Sequence, residues 1–366
     1  LAAAHLGLCL GSTLGAWLLG PVPLLVWLLW DLPLIQPAPS GPKTVIAGID
    51  PECLQFRAWP WPRELHAQVL KNLERAGARC VFFDVLFDTP GDPQSDHKFA
   101  QAIEESLVVV LAGAAGRSGG FAQLTPPPFF PPLDAVRLRA QNRVGLIHTR
   151  LDASDGKIRS LPTLYENVNR LTYPAAARAV AAHLGASSNL PMESLIRWHR
   201  PVIGGRGWPD YQYVSYHRLL DPNDPVFANL QGSMVMIGDA MPGESDRFET
   251  PVGALKGVEV HAMFASTLCQ EAPPQDLRSS RYSLALAVLL SGLLAWFGWR
   301  AQSLARLCLI NLMGLTLAMA CHHGLVRAGW VLGQEPVVAV ALTAVALLAA
   351  KSLLSVAALR RFLPDT

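Results

Sequence analysis

The chain has 366 residues, of which 51% are hydrophobic and only 16% charged, with a formal net charge of +2. That balance lies on the apolar side of globular composition and points to a membrane protein. Near-neutral charge, with no Lys/Arg run interleaved with aromatics, removes the electrostatic footprint of a nucleic-acid partner.

In chain order, the first feature is an apolar stretch from Leu1 to about Trp30, broken by Gly20-Pro21 and read as an N-terminal transmembrane helix over 1–30. Leu1 stands where an initiator Met would, so residues are expected upstream. A cleaved signal peptide is the alternative, but the run is long and no small-x-small site precedes "QPAPSGPK". Then "KTVIAGID" is a β-branched strand ending in Asp50, and "PRELHAQVLKNLERAGA" carries Leu65, Val69, Leu70 and Leu73 at helical spacing with Gly77 as a stop. "CVFFDVLF" is a second strand, "DHKFAQAIEES" a short helix and "LVVVLAG" a third strand. The order βαβαβ predicts a mainly parallel sheet flanked by helices, an α/β domain. After the Pro-rich "LTPPPFFPPLD", the segment "RVGLIHTRLDASDGKIRSLPTLYE" reads as two antiparallel strands joined at Asp155-Gly156. An Ala-rich helix (Tyr173 to Leu184), a strand within "PVIGGRGWPDYQYVSYHRLLD", the buried strand "GSMVMIGD" and the helix "GVEVHAMFASTLCQ" complete the segment over 40–277.

Three further apolar runs follow, from about Tyr282 to Trp299, Leu304 to Val326 and Pro336 to Leu354, predicting a three-helix membrane module over 282–356 and a tail over 357–366. Arg300 and Arg306 lie between the first two of these runs, and Lys351, Arg360 and Arg361 end the last, whereas the remaining loop carries only Arg327. Basic loops stay cytoplasmic, so the 40–277 segment is expected outside a bacterial inner membrane and both chain ends inside. Arg278 and Arg281 run against the trend, at the end of a long translocated domain where the rule is weak. Pro273 and Pro274 predict a stiff link into the membrane module.

Five segments in order resemble the type-two CHASE domain, the cyclase- and histidine-kinase-associated extracellular sensor of bacteria. They are "VIAGIDPECLQFRAWPWPRELHAQVLKNLERAGARCVFFDVLF", "SDGKIRSLP", "YVSYHRLLD", "MVMIGDAMPGESDRFETPV" and "KGVEVHAMFASTL". The resemblance implies an extracytoplasmic sensor between one leading helix and a three-helix module. It further implies a cytoplasmic effector, a cyclase, kinase or phosphatase, for which the sequence after "ALRRFLPDT" would have to be known.

Asp50 and Asp84 are read as closing two neighbouring strands and Asp239 a third, which would gather three carboxylates at one sheet end, where loops at the carboxyl ends of parallel strands form the crevice that binds ligands. Such carboxylates could hold a divalent cation or an acid/base pair, or simply cap loops and meet Arg63 or Arg247. Trp59 and Trp61, stiffened by Pro60 and Pro62, are either a wall of that crevice or a cap on the sheet. Asp50, Trp59, Trp61, Arg63, Asp84, Asp239, Asp246 and Arg247 are therefore the candidate ligand-binding residues. "GDAMPGESDRFETP" lacks a phosphate-loop pattern, and "GRSGG" fits G-x-S-x-G with no following helix, so no catalytic site is expected. His261 is read as either a pH-sensitive partner of Glu259 or a structural histidine, and His322-His323 as interfacial. Cys9, Cys308 and Cys321 fall in spans. Cys53, Cys80 and Cys269 remain, either with a Cys53–Cys80 bridge or as three buried thiols. No C-x-x-C pair suggests zinc, and no cofactor or metal is expected.

The function read from these features is a transmembrane receptor, as a homodimer or higher homo-oligomer, that senses an extracytoplasmic small molecule or protein. An envelope scaffold binding a protein partner through the same domain is the alternative.

Overall fold

A computed structural model describes residues 31, 34–36, 42–114, 141, 143–152, 155–166, 170, 172–187, 189–199, 211–243, 245–270, 274–277, 281–328, 330–332 and 335–360. Two compact units are present, Leu34–Pro273 and a second made of Leu1–Pro33 with Pro274–Thr366.

In the first unit β1 (Thr44–Ile49) is buried at every position, as a strand covered on both faces must be. Asp50 then caps α1 (Pro51–Phe56), accepting from the Cys53 amide at 3.0 Å while Pro51 occupies the first turn. Helix α2 (Arg63–Arg75) buries Val69, Leu70 and Leu73 and ends at Gly77, whose φ of +77° is cheap only for glycine. Strand β2 (Cys80–Phe83) follows. Helix α3 (Pro93–Glu105) is capped by Asp92 through the Ser95 amide at 2.8 Å and leads to β3 (Val109–Gly113) and β4 (Val144–Leu146).

Smaller pieces come next: β5 (Ser160–Pro162), the hairpin β6 (Leu164–Glu166) and β7 (Thr172–Pro174), helix α4 (Ala176–His183) and β8 (Glu193–Leu195). The chain returns to the main sheet with β9 (Tyr211–Ser215) and, after two short 3-10 turns, β10 (Met234–Asp239). The hairpin β11 (Arg247–Thr250) and β12 (Gly253–Lys256) precedes α5 (Gly257–Leu268).

The main sheet has six parallel strands in the order β9-β1-β10-β2-β3-β4. One face, carrying Val45, Ala47, Val81, Phe83, Val235 and Ile237, packs under α2 and α3. Alternate residues point the other way. There α4 and α5 cover the sheet, with Phe82 edge-on to His261 at 6.2 Å. Gly238 is required at the α5 contact, because a Cβ there would stand 2.7 Å from the Val258 Cβ.

Two expectations need correction. Asp50 and Asp84 do not close neighbouring strands, because β10 is inserted between β1 and β2. The segment before and after Asp155-Gly156 is not a strand pair: β4 joins the main sheet parallel to β3, and β5 pairs antiparallel with β8. The tight turn itself is present, with the Gly156 amide donating to the Asp152 carbonyl at 2.8 Å. Arg159, 2% exposed, reaches back from it to Asp155 at 2.7 Å and Asp152 at 3.3 Å. A buried guanidinium so paired locks the turn, which accounts physically for "SDGKIR". The "GRSGG" and Pro-rich stretches lie outside the described residues.

In the second unit α6 (Arg281–Trp299), α7 (Leu304–Arg327) and α8 (Glu335–Arg360) pack around Leu294, Leu307, Ala318, Val340 and Leu347. Among the described residues one stretch, Leu304–Leu325, is long and apolar enough to cross a membrane, and the apolar stretches Leu284–Trp299 and Val340–Leu353 are shorter. Their outward residues include Leu289, Leu293, Trp296, Leu312 and Leu342, all exposed. Gly314 admits the Leu294 side chain, and the Asn311 amide donates to the Ala344 carbonyl at 3.3 Å, small-residue and polar contacts of the kind that join helices in lipid. The predicted N-terminal span over 1–30 lies outside the described residues.

Candidate functional site

Crossover direction decides where a crevice opens in a parallel sheet. After β1 and after β2 the chain passes to the face covered by α2 and α3, whereas after β10, which lies between them, it passes to α5 on the opposite face. Loops therefore diverge at the carboxyl end of β10. That end carries Asp239, with Asp50 and Asp84 at the ends of the strands on either side.

Asp239 accepts from the Met241 amide at 2.9 Å, the Ser245 hydroxyl at 3.1 Å and Lys256 Nζ at 3.1 Å. Its cationic partner is thus Lys256, on the second strand of the hairpin. Arg247, expected in that role, is exposed and faces Lys256 across the β11–β12 pair. Asp246 occupies the turn before the hairpin at φ +49°, and its carboxylate folds inward over Gly257, where a Cβ would collide with it. Burial and the charge of Asp239 push the Asp84 carboxyl up to about 7. Burial, with Asp84 as the next cause, pushes Asp246 up to about 6. His261 lies buried beneath, held down to about 4 by burial against the opposing pull of Asp246, and among the described residues its Nδ1 has no hydrogen-bond partner. Glu259 Oε2 accepts from the Lys256 amide at the start of α5. Asp84, Asp239 and Asp246 therefore gather at one sheet end, with Lys256 as the flanking cation among the described residues.

The two tryptophans behave differently from each other. Trp61 is 3% exposed, stacks on Tyr216 with ring centres 5.2 Å apart and donates from Nε1 to the Arg57 carbonyl at 2.9 Å. It belongs to the core. Trp59 is half-buried against Trp61 and His66. Beneath them the Tyr216 hydroxyl and His66 Nδ1 are hydrogen-bonded at 2.7 Å, and burial holds His66 down to about 3, so the ring is neutral. Arg63 turns away from the crevice: it binds Asp96 at 2.5 Å, donates to the Thr89 carbonyl and lies over Phe87.

Asp50 also leaves the other carboxylates. Its Oδ1 accepts from the Ser215 hydroxyl at 2.7 Å, and the same Ser215 oxygen meets His217 Nδ1 at 2.7 Å and Cys53 Sγ at 3.3 Å. Asp50, Cys53 and His217 each offer a ligand atom within 4.8 Å of the others. Tyr213 closes this corner by laying its hydroxyl against Gly48, where no side chain would fit. Cys53, Cys80 and Cys269 are all free thiols.

Residues 7–299 match the CHASE2 domain. The chain belongs to the CHASE2 family. No curated protein and no solved structure matches it. Of the residues picked from sequence, the CHASE2 fold brings Asp84, Asp239 and Asp246 together, and it places Asp50, Trp61, Arg63 and Arg247 elsewhere. Sequence reading missed Lys256, Ser215 and His217. Lys256 sits where the hairpin strand runs into α5, and only the pairing of β12 with β11 turns it towards Asp239. Ser215 and His217 are more than 160 positions from Asp50 and Cys53, and their one local signal was the polar "SYH" at the end of the strand.

Proposed function

We propose that this CHASE2 protein is a bacterial inner-membrane signal receptor. Its extracytoplasmic sensor domain takes a ligand at the carboxyl end of β10 and relays occupancy to a cytoplasmic effector such as a cyclase or kinase. The observation that carries the reading is the carboxylate cluster at that sheet end. Crossovers diverge there, and Asp84 and Asp246, both with proton affinities raised towards neutrality, gather beside Asp239. A cationic small molecule or a basic segment of a partner protein is the chemistry such a site recognises. The CHASE2 match and the apolar helix Leu304–Leu325 support an outer domain tethered to a membrane. A topology of four spans, with both ends cytoplasmic, fits the basic residues Arg300, Arg306, Lys351, Arg360 and Arg361.

Reporter fusions after Lys43 and after Arg361 test this arrangement. Opposite compartments are expected, and a shared compartment would remove the receptor reading. Sequencing the reading frame beyond Thr366 separates relay from tethering: a cyclase or kinase module supports the receptor, and a stop codon supports an envelope scaffold.

A further inference from the structure

We propose that Asp50, Cys53 and His217 form a binding site for one divalent cation of the zinc class, centred on the point now marked by the Ser215 hydroxyl. The inference stands on these donors alone and holds whatever ligand the carboxylate crevice takes.

Three chemically different ligands converge here. Ser215 Oγ lies 2.7 Å from Asp50 Oδ1, 2.7 Å from His217 Nδ1 and 3.3 Å from Cys53 Sγ. Zinc bonds to oxygen, nitrogen and thiolate sulfur measure about 2.0–2.3 Å. An ion near that point therefore requires each donor to close by less than about 1 Å, within reach of side-chain torsions. The Sγ to Nδ1 separation of 4.0 Å compares with about 3.6 Å across a tetrahedral zinc with bonds of that length. Ser215 must rotate aside to admit the ion, and its displaced hydroxyl or a water then completes the coordination.

Each donor is also held from behind, as metal ligands are. The Cys53 amide fixes the Asp50 carboxylate at 3.0 Å, the His217 amide points at Cys53 Sγ at 3.4 Å, and the His217 ring stacks on Phe56 with centres 5.8 Å apart. An amide directed at sulfur favours a thiolate. A mixed thiolate, imidazole and carboxylate set selects zinc-like ions over magnesium or calcium, which prefer oxygen alone.

The protons balance simply. Ser215 donates its proton to Asp50, so His217 carries a proton on Nδ1 that points at the Ser215 oxygen. On binding, that proton moves to Nε2 and the Cys53 thiol proton leaves to solvent, one proton released per ion. Because the thiol proton must leave, binding strengthens as pH rises.

The test uses the full-length protein in detergent, stripped of metal with a chelator and titrated with Co2+ as a coloured stand-in for zinc. We expect one equivalent to produce the visible bands of a tetrahedral cobalt site and a thiolate-to-cobalt charge-transfer band, both erased by Zn2+. Cys53→Ala and His217→Ala should lose the charge-transfer band, with circular dichroism confirming that each remains folded. Asp50→Asn, which preserves the amide cap, should weaken binding by at least about tenfold. Ser215→Ala should retain the band. Should Cys53→Ala fail to fold, the half-buried His217→Ala decides. No charge-transfer band in the wild type, a band that survives His217→Ala or Cys53→Ala, or one abolished by Ser215→Ala would each overturn the assignment.

Discussion

Replacing Asp84 by Asn should stabilise the sensor domain at alkaline pH and leave it unchanged in acid. Burial and the neighbouring Asp239 raise this carboxyl from 3.8 to about 7 in the folded protein. Between those values the folded state binds a proton that the unfolded chain has released, so stability falls as pH rises across the interval and stays low above it. At about 1.4 kcal/mol for each pH unit, the full difference is roughly 4 kcal/mol. Asp84 is partly open to solvent, which reduces the expected gain to about 2–3 kcal/mol at pH 8. For a domain of this size that is a rise in Tm of about 4–10 °C. The carboxamide has nearly the same shape, so packing against Gly238 is preserved. Differential scanning calorimetry of the full-length protein at pH 4 and pH 8 provides the measurement. A gain of equal size at both values would mean that charge plays no part and would refute the reasoning. Removing the Asp84 charge should also lower the Asp246 carboxyl, since Asp84 is second among the causes holding it up.

His66 has the opposite sign: its folded value of about 3 lies below the ordinary 6.5, so stability is complete above pH 6.5 and declines by about 4–5 kcal/mol as pH falls to 3. His66→Gln, which can still hydrogen-bond to Tyr216, should flatten that slope in urea unfolding across pH 3–7, and an unaltered slope would assign the acid lability elsewhere. Arg63→Ala should cost about 3 kcal/mol because it leaves Asp96, 5% exposed, as an uncompensated buried charge, and an unchanged denaturation midpoint would restore Arg63 as a crevice residue. Trp61→Ala should cost about 3–5 kcal/mol through the cavity it opens, and Trp59→Ala clearly less because that ring is only half-buried. Equal losses would contradict the division between core and rim.

Much of the fold was legible in particular runs of residues. "KTVIAGI" and "LVVVLAG" are apolar without alternation, which only a strand buried on both faces tolerates, and Leu70 and Leu73 with Gly77 mark a helix and its stop through local periodicity and backbone freedom. Asp84 and Asp239 could be placed at strand ends because the apolar runs stop there. What the residues could not disclose is which strands become neighbours. Inserting β10 between β1 and β2 depends on pairing across more than 150 residues. That insertion separates Asp50 from Asp84, draws Asp239 to Lys256 and sets the crevice at the point of diverging crossovers. Likewise, nothing near Cys53 announces Ser215 and His217; they meet because β9 pairs beside β1 in register, Ser215 opposite Gly48. Local chemistry determined the elements, since propensity and burial act over a few residues. Tertiary pairing alone determined the sites, since hydrogen-bonded register brings together side chains that the sequence keeps far apart.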